Sequence, residues 1–259
     1  MADFLDTLAQ SAKATIDSGY YEAMNEAVAS RISLKRAILE AKNAPVITEI
    51  KAASPSAGTI RENVEARSMA ESMEKGGAVG ISVLTEPKHF KGSLHSLVEA
   101  RRTVKLPILM KDIILSPVQL DVASKLGANV VLLIEALFDR GYCERGIDDM
   151  IATAHSKGLE VLLETHTAAE FHSAVNTRAD LVGINNRNLA TLKVDLGVTK
   201  KILERNSAEG KVVVSESGVS KPADLRFLRE SGAHAFLVGS AVMLADNVEA
   251  KVKEFVSAL

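Results

Sequence analysis

Glu49 and Lys51 stand two residues apart at the end of the apolar run Pro45-Val46-Ile47-Thr48, just before the turn-forming stretch Ser54-Pro55-Ser56-Ala57-Gly58. Side chains two apart on a strand share a face, so both charges are expected to point the same way where a strand stops and a loop begins. The pattern recurs along the chain. Lys111 closes one apolar run, Glu164 a second, Asn185 a third, and Glu216 with Ser217 a fourth. Two lysines and three glutamates gathered in one place could divide acid and base work between them, because surroundings separate the pKa values of like groups. A lysine among cations or poorly solvated walls is expected to have a lowered pKa and to serve as an acid near neutrality, with a glutamate beside it staying charged.

A second set of residues suits an anion. Ser217-Gly218 is followed by Ser220-Lys221-Pro222, which opens a helix, and Gly239-Ser240 follows the last apolar run. Glycine lets a backbone approach an anion, and free N–H groups at a helix start point at it. Arg187, in Asn185-Asn-Arg-Asn188, offers a bidentate contact to the same group.

These residues need elements that bring them together. Eight short apolar runs are expected as strands: 46–50, 80–85, 108–111, 130–135, 160–164, 181–185, 212–216 and 235–239. Segments of helical period separate them, as in Ser116-Pro117-Val118, an N-cap followed by proline at the first helical position. Gly77-Ala78, Gly127-Ala128 and Gly232-Ala233 each end such a segment just before a strand, as a left-handed helix cap requires. Eight strand-helix repeats, with no glycine-rich dinucleotide turn after the first strand, predict one (β/α)8 TIM barrel of class α/β over residues 1–259 rather than a doubly wound sheet. Residues 1–43 read as a helical extension, with one run carrying Phe4, Leu8 and Ala12 and a second from Met24 to Lys42, interrupted by Gly19 and Tyr20-Tyr21. Closure of such a barrel gathers the polar strand ends into one mouth, and the last two loops are where barrels of this kind commonly hold phosphate.

Composition narrows the function. The 259 residues carry 31 basic and 33 acidic side chains, a balance that suggests neither a nucleic-acid partner nor an anionic membrane surface. Any phosphate bound is expected to be that of a small molecule. Aromatics make up only 4% and tryptophan is absent, so aliphatic residues supply the core, as suits strands covered on both faces. No apolar run approaches the roughly 20 residues that span a bilayer. With a single cysteine, Cys143, and no leader-like N-terminus, the chain is expected in the cytoplasm. His89, His95, His155, His166, His172 and His234 show no metal-binding spacing, and no metal is expected. His166 falls just past Glu164 and is expected in the loop leading to the next helix.

The motifs Glu49-Ile-Lys51-x-x-Ser54-Pro55-Ser56, Ser82-Val-Leu84-Thr-Glu86-Pro87 with Phe90-Lys-Gly92-Ser93, Leu109-Met-Lys111-Asp112, Leu163-Glu164, Gly183-Ile-Asn185-Asn-Arg187-Asn-Leu189 and Ser215-Glu216-Ser217-Gly218 resemble, in order, those of indole-3-glycerol phosphate synthase. The likeness runs from Pro45 to Ser240. It implies a cofactor-free lyase of tryptophan biosynthesis that cyclises, decarboxylates and dehydrates 1-(2-carboxyphenylamino)-1-deoxyribulose 5-phosphate, with other enzymes of that pathway as possible partners. By resemblance, Lys111 is the general acid and Glu164 the base. Glu49, Lys51, Asn185, Glu216 and Ser217 complete the acid–base set. Phosphate falls to Lys51, Arg187, Ser217, Gly218, Gly239 and Ser240. The anthranilate ring falls to Phe90, Ile113, Leu132, Ile134 and Leu189, with Ser54 and Pro55 in the first loop. Ala52 and Ala57 stand where the family often has basic residues, and Ile113 where it usually has phenylalanine. The first loop is therefore expected to be less charged and the ring pocket to lack one aromatic surface.

Two other functions fit a phosphate-binding barrel. An isomerase such as phosphoribosylanthranilate isomerase would be expected to place a Cys/Asp pair at strand ends, whereas Cys143 is expected in a helical loop region after the fourth strand. A barrel that binds the ligand without turning it over, as a partner subunit, would not need the Lys111 and Glu164 set.

Overall fold

The eight apolar runs form eight parallel strands: β1 (Val46–Ile50), β2 (Gly80–Leu84), β3 (Ile108–Lys111), β4 (Val130–Ile134), β5 (Glu160–Thr165), β6 (Leu181–Asn185), β7 (Val212–Glu216) and β8 (Ala235–Val238). Each pairs with its sequence neighbours and β8 returns to β1, closing a barrel. The structure is a computed structural model describing residues 3–24, 27–28, 30–54, 58–62 and 64–259. The expected (β/α)8 architecture is what forms, with helices between successive strands.

Local chemistry explains the helix ends. The helix Pro117–Lys125 starts at Ser116, whose hydroxyl accepts the Val118 N–H while Gln119 reaches back to the Ser116 backbone. Pro222 occupies the first turn of Pro222–Glu230, and Asp224 accepts the N–H groups of Ser220 and Lys221. The three Gly-Ala pairs behave as read: Gly77, Gly127 and Gly232 all have φ between 83 and 102°.

Alternation along the strands sorts side chains into two layers. Outward residues such as Val46, Met110, Val131 and Val213 pack against the helices. Inward residues, among them Ile47, Leu109, Leu132, Leu162, Leu181, Val214 and Leu237, fill the barrel. Continuing the inward count by twos toward the C-terminal strand ends gives Glu49 and Lys51, Lys111, Glu164, Asn185 and Glu216. The period that builds the core thus also places the polar set.

The N-terminal segment contributes two helices, one at each end of the barrel. α1 (Phe4–Asp17) buries Leu5, Leu8, Ala9 and Ala12 against the inner core, and its Phe4, Leu5 and Leu8 border the mouth. Burying Leu5 and Leu8 contributes about 1.5–3 kcal/mol each. Arg140 holds its start by contacting Asp3 and Asp6, both at 2.7 Å, and Tyr142 donates to Asp6. Beyond α1, the Tyr21 hydroxyl donates to Asp112 at 3.0 Å, and the Tyr20 hydroxyl to the Thr85 carbonyl.

The second expected helix is corrected: among the described residues of 24–42 only Leu34–Glu40, α2, is helical. Long-range bonds pull the preceding stretch out of helix. The Val28 N–H donates to the Lys125 carbonyl, and the Ser30 hydroxyl meets Arg101 and Asn129. α2 covers the opposite end of the barrel, where the Glu160 carboxylate at the start of β5 accepts the N–H groups of Leu34 and Lys35. No helix among the described residues is long and apolar enough to cross a membrane.

Candidate active site

The C-terminal strand ends surround a cavity of about 380 Å³. Glu49, Lys51, Lys111, Glu164, Asn185 and Ser217 all line it, as do Arg187, Gly218, Gly239, Ser240, Ser54, Phe90, Ile113, Leu132, Ile134 and Leu189. Two of the expected site residues differ. Glu216 is fully buried beneath the cavity and meets it through Lys111. Pro55 lies outside the described residues, together with Ser56 and Ala57. Phe4, Leu5 and Leu8 also line the cavity; the sequence shows their helical apolar face but not the surface that face covers.

The charges form a chain. The Lys51 Nζ lies 2.6 Å from Glu49 Oε1, and Glu49 Oε2 lies 3.2 Å from the Lys111 Nζ. The same ammonium sits 3.1 Å from Glu216 Oε2. Burial alone would raise the Glu49 pKa, but Lys111 and Lys51 outweigh it and hold the carboxyl down at about 2. For Lys111 burial acts the other way and is outweighed by Glu49, Glu216 and Glu164, so its ammonium is held well above the ordinary lysine range. The expected lowering of a lysine pKa is therefore corrected: carboxylates, not cations, crowd this amine. Lys111 is a charged donor whose side chain is 16% exposed at the cavity floor.

Glu216 is the opposite case. Burial, with Glu164 and Glu49 nearby, pushes it up to about 7 despite Lys111. Room for it comes from Gly183 on β6, because a Cβ there would fall on Glu216 Oε1. Glu164, on β5, is buried yet held at about 2 by His166, Lys111 and the Asn185 amide. Asn185 Oδ1 in turn accepts the Arg187 N–H, which turns the amide so that it donates toward Glu164.

The two loops expected to hold an anion follow β7 and β8. Ser217 adopts φ +65° and is followed by Gly218 at +95°. Asn186 braces this turn: its amide donates to Ser215 Oγ and to the carbonyls of Glu216 and Ser217, while its oxygen accepts from the Thr199 N–H and hydroxyl. A Cβ at Gly239 would lie 2.5 Å from Glu49 Oε1 and 2.9 Å from Lys51 Nζ, so the β8 turn and the Lys51 ammonium are in close approach. Arg187 is half-buried, its pKa lowered by desolvation, and its guanidinium donates to the Leu192 carbonyl. The apolar residues come mainly from the other arc, with Phe90 after β2, Ile113 after β3, and Leu132 and Ile134 on β4.

His166 is in the loop after β5 as expected, but its ring also contacts Glu164 and Glu170. Cys143 lies between the helices Glu135–Asp139 and Ile147–Ser156, with burial pushing its thiol up to about 12. Among the described residues no group of three or more His, Cys, Asp or Glu side chains is placed to hold a metal ion.

The family model described as indole-3-glycerol phosphate synthase matches residues 5–255. The chain belongs to the indole-3-glycerol phosphate synthase family. Relatives of that name include one from Methanocaldococcus jannaschii, 42% identical over 87% of this chain and 84% of its own length. Another, from Neisseria meningitidis, is 44% identical over 80% and 77%. A third, from Aromatoleum aromaticum, is 45% identical over 80% and 78%. Among solved structures, the N-acetylmannosamine-6-phosphate 2-epimerase of Clostridium perfringens superposes with a TM-score of 0.61 at 16% identity, covering 84% of this chain and 93% of its own. The thiamine phosphate pyrophosphorylase of Pyrococcus furiosus does so with 0.61 at 19%, covering 87% and 97%. At that identity the likeness is one of fold.

Proposed function

We propose that the chain is a cytoplasmic indole-3-glycerol phosphate synthase, a carboxy-lyase of tryptophan biosynthesis acting on the small phosphorylated substrate 1-(2-carboxyphenylamino)-1-deoxyribulose 5-phosphate. Its 259 residues work as one barrel domain with residues 1–43 as an extension, and its expected partners are the enzymes that supply the substrate and consume the product. The observation that carries this reading is the Lys111 ammonium on the cavity floor, held by Glu49 and Glu216 between an apolar arc and the Ser217-Gly218 and Gly239-Ser240 turns.

The phosphate rests on Lys51, Arg187 and the Ser217-Gly218 and Gly239-Ser240 turns. The anthranilate ring lies against Phe90, Ile113, Leu132, Ile134 and Leu189, with Ser54 and Pro55 over the open side. The ring carbon that bears the carboxylate attacks the ketose carbonyl, forming a carbon–carbon bond as the carbonyl π pair moves onto oxygen. Lys111 supplies the proton to that oxygen. Its raised pKa suits the task, because the developing alkoxide is far more basic than an amine and a stably charged donor stabilises it throughout. Loss of carbon dioxide returns the bonding pair to the ring and restores aromaticity. The new hydroxyl then leaves as water, taking a proton relayed by Lys51 and Glu49, while Glu164 accepts the proton lost from the adjacent methylene carbon. Glu49, Lys51 and Asn185 orient these groups and relay protons, and Glu216 and Ser217 complete the set. The isomerase reading finds no support in Cys143, whose thiol lies among helices with a raised pKa.

Incubating the protein with the substrate and following indole fluorescence tests the reading. Growth of the signal in proportion to enzyme is expected. Substrate binding without any signal at high enzyme concentration favours the non-catalytic partner instead.

A further inference from the structure

The Glu164 carboxylate does not stand alone behind the cavity. His166 Nε2 lies 3.3 Å from Glu164 Oε1, and Nδ1 lies 3.5 Å from Glu170 Oε2. Both contacts are ion-pair approaches rather than aligned hydrogen bonds. A neutral imidazole has one N–H and one lone pair, so either tautomer would turn a lone pair toward a carboxylate oxygen; only the imidazolium offers a proton to each. Glu170 is itself fixed. It sits in the first turn of the helix Ala168–Val175, accepts the His166 backbone N–H at 2.8 Å and contacts the Thr167 hydroxyl, which caps that helix. The ring is therefore clamped between the wall of the barrel and the start of the following helix.

We propose that His166 is the positioning residue of the base: as an imidazolium tied to Glu170, it fixes the direction of the Glu164 carboxylate and keeps it ionised. This rests on the reading of Glu164 as the base. The charged groups around the ring come from several elements. Glu164 is on β5 and Glu170 on the helix after it. Arg187 beyond β6, and Asp3 and Arg140 across a side cleft of about 240 Å³, complete them. Arg140 is already neutralised by Asp3 and Asp6, which leaves the two glutamates as the near partners. Their charges overcome the effect of burial and push the His166 pKa up to about 10. His166 lines this side cleft and not the main cavity, with both ring nitrogens buried.

Nitrogen NMR of histidine-labelled protein reads the ring directly. Both His166 nitrogens are expected to be protonated from pH 6 to 9, and Glu170→Gln should lower the midpoint by about one unit or more. In kinetics, His166→Gln should reduce kcat by roughly tenfold or more, leave KM within about threefold, and move the acid limb of kcat/KM toward neutrality by about one unit. Glu170→Gln leaves the imidazole in place and cationic across that limb, so the limb should stay where it was while the NMR midpoint falls, which keeps the test available if His166→Gln does not fold. A purely structural histidine would lower the melting temperature and leave the limb where it was. A neutral ring near pH 7, a midpoint that Glu170→Gln does not lower, or an unmoved limb in His166→Gln overturns the proposal. Near-full turnover by Glu164→Gln would instead overturn the assignment of the base, and the NMR arm would still report whether His166 is a cation.

Discussion

Replacing Tyr21 by phenylalanine deletes one oxygen from the link between the N-terminal segment and the strand that carries Lys111. The Tyr21 hydroxyl donates to Asp112 Oδ2 at 3.0 Å, beside donations from Thr85 Oγ1 and the Ile113 N–H. Burial raises the Asp112 pKa from the ordinary 3.8 to about 6, with these three donors acting against it and Glu86 adding to it. The folded chain thus binds this proton more tightly than the unfolded chain. That contribution to stability is complete below about pH 4 and is lost as the pH rises through 6. At pH 8 the carboxylate is charged, and losing one donor to it costs about 1.5–3 kcal/mol. For a chain of this length that is roughly 3–6 °C in melting temperature. At pH 5 the partner is mostly the neutral acid, and the cost falls to about 0.5–1.5 kcal/mol, roughly 1–3 °C. The difference between the two corresponds to a rise of about one unit in the Asp112 pKa, so the variant should keep losing stability up to about pH 7. Thermal unfolding followed by circular dichroism at both pH values measures this. An equal loss at pH 5 and pH 8, or none at either, would refute the claim that Tyr21 serves an ionised Asp112.

Two further substitutions separate positioning from binding. Gly183→Ala places a Cβ on Glu216 Oε1 and should push that carboxylate off Lys111, lowering kcat by about 10- to 100-fold with little change in KM or in the far-ultraviolet spectrum. Steady-state kinetics that match the wild type would show Glu216 to be dispensable. Arg187→Ala removes the charged contact proposed for the substrate phosphate and should raise KM about 10- to 100-fold with kcat within a few-fold. A dephosphorylated substrate should then be turned over equally by both proteins, and a difference that survives its use would count against the phosphate assignment.

The barrel was legible because its strands are continuous apolar runs ended by glycine, proline and charge. Gly80–Leu84 and Ala235–Val238 fall within one residue of their expected ends, since β/α repeats place a left-handed glycine just before each such strand. The site was legible for a related reason: a period of two carries the inward count from Leu109 to Lys111 and from Leu162 to Glu164, and closure of the barrel makes the ends neighbours. Other features depended on contacts between distant segments. The docking of Leu5 and Leu8 over the mouth, and the unwinding of the stretch before Leu34, are fixed by Arg140, Lys125 and Asn129 far along the chain. The direction of the Lys111 shift depended on how many carboxylates close to within about 3 Å, which residue types at strand ends do not reveal. His166 was placed in its loop, but its clamp by Glu170 four residues later joins a strand end to a helix start and emerges only once both are set.

The central claim is that the Lys111 ammonium protonates the ketose oxygen during ring closure. Single-turnover indole fluorescence with wild-type and Lys111→Ala protein, alongside a titration of substrate binding, tests it most directly. Loss of an acid that acts only in the transition state should slow product formation by about 10²- to 10⁴-fold while substrate affinity stays within about tenfold. A near-wild-type rate from Lys111→Ala would contradict the account and assign the acid to another group on the cavity floor.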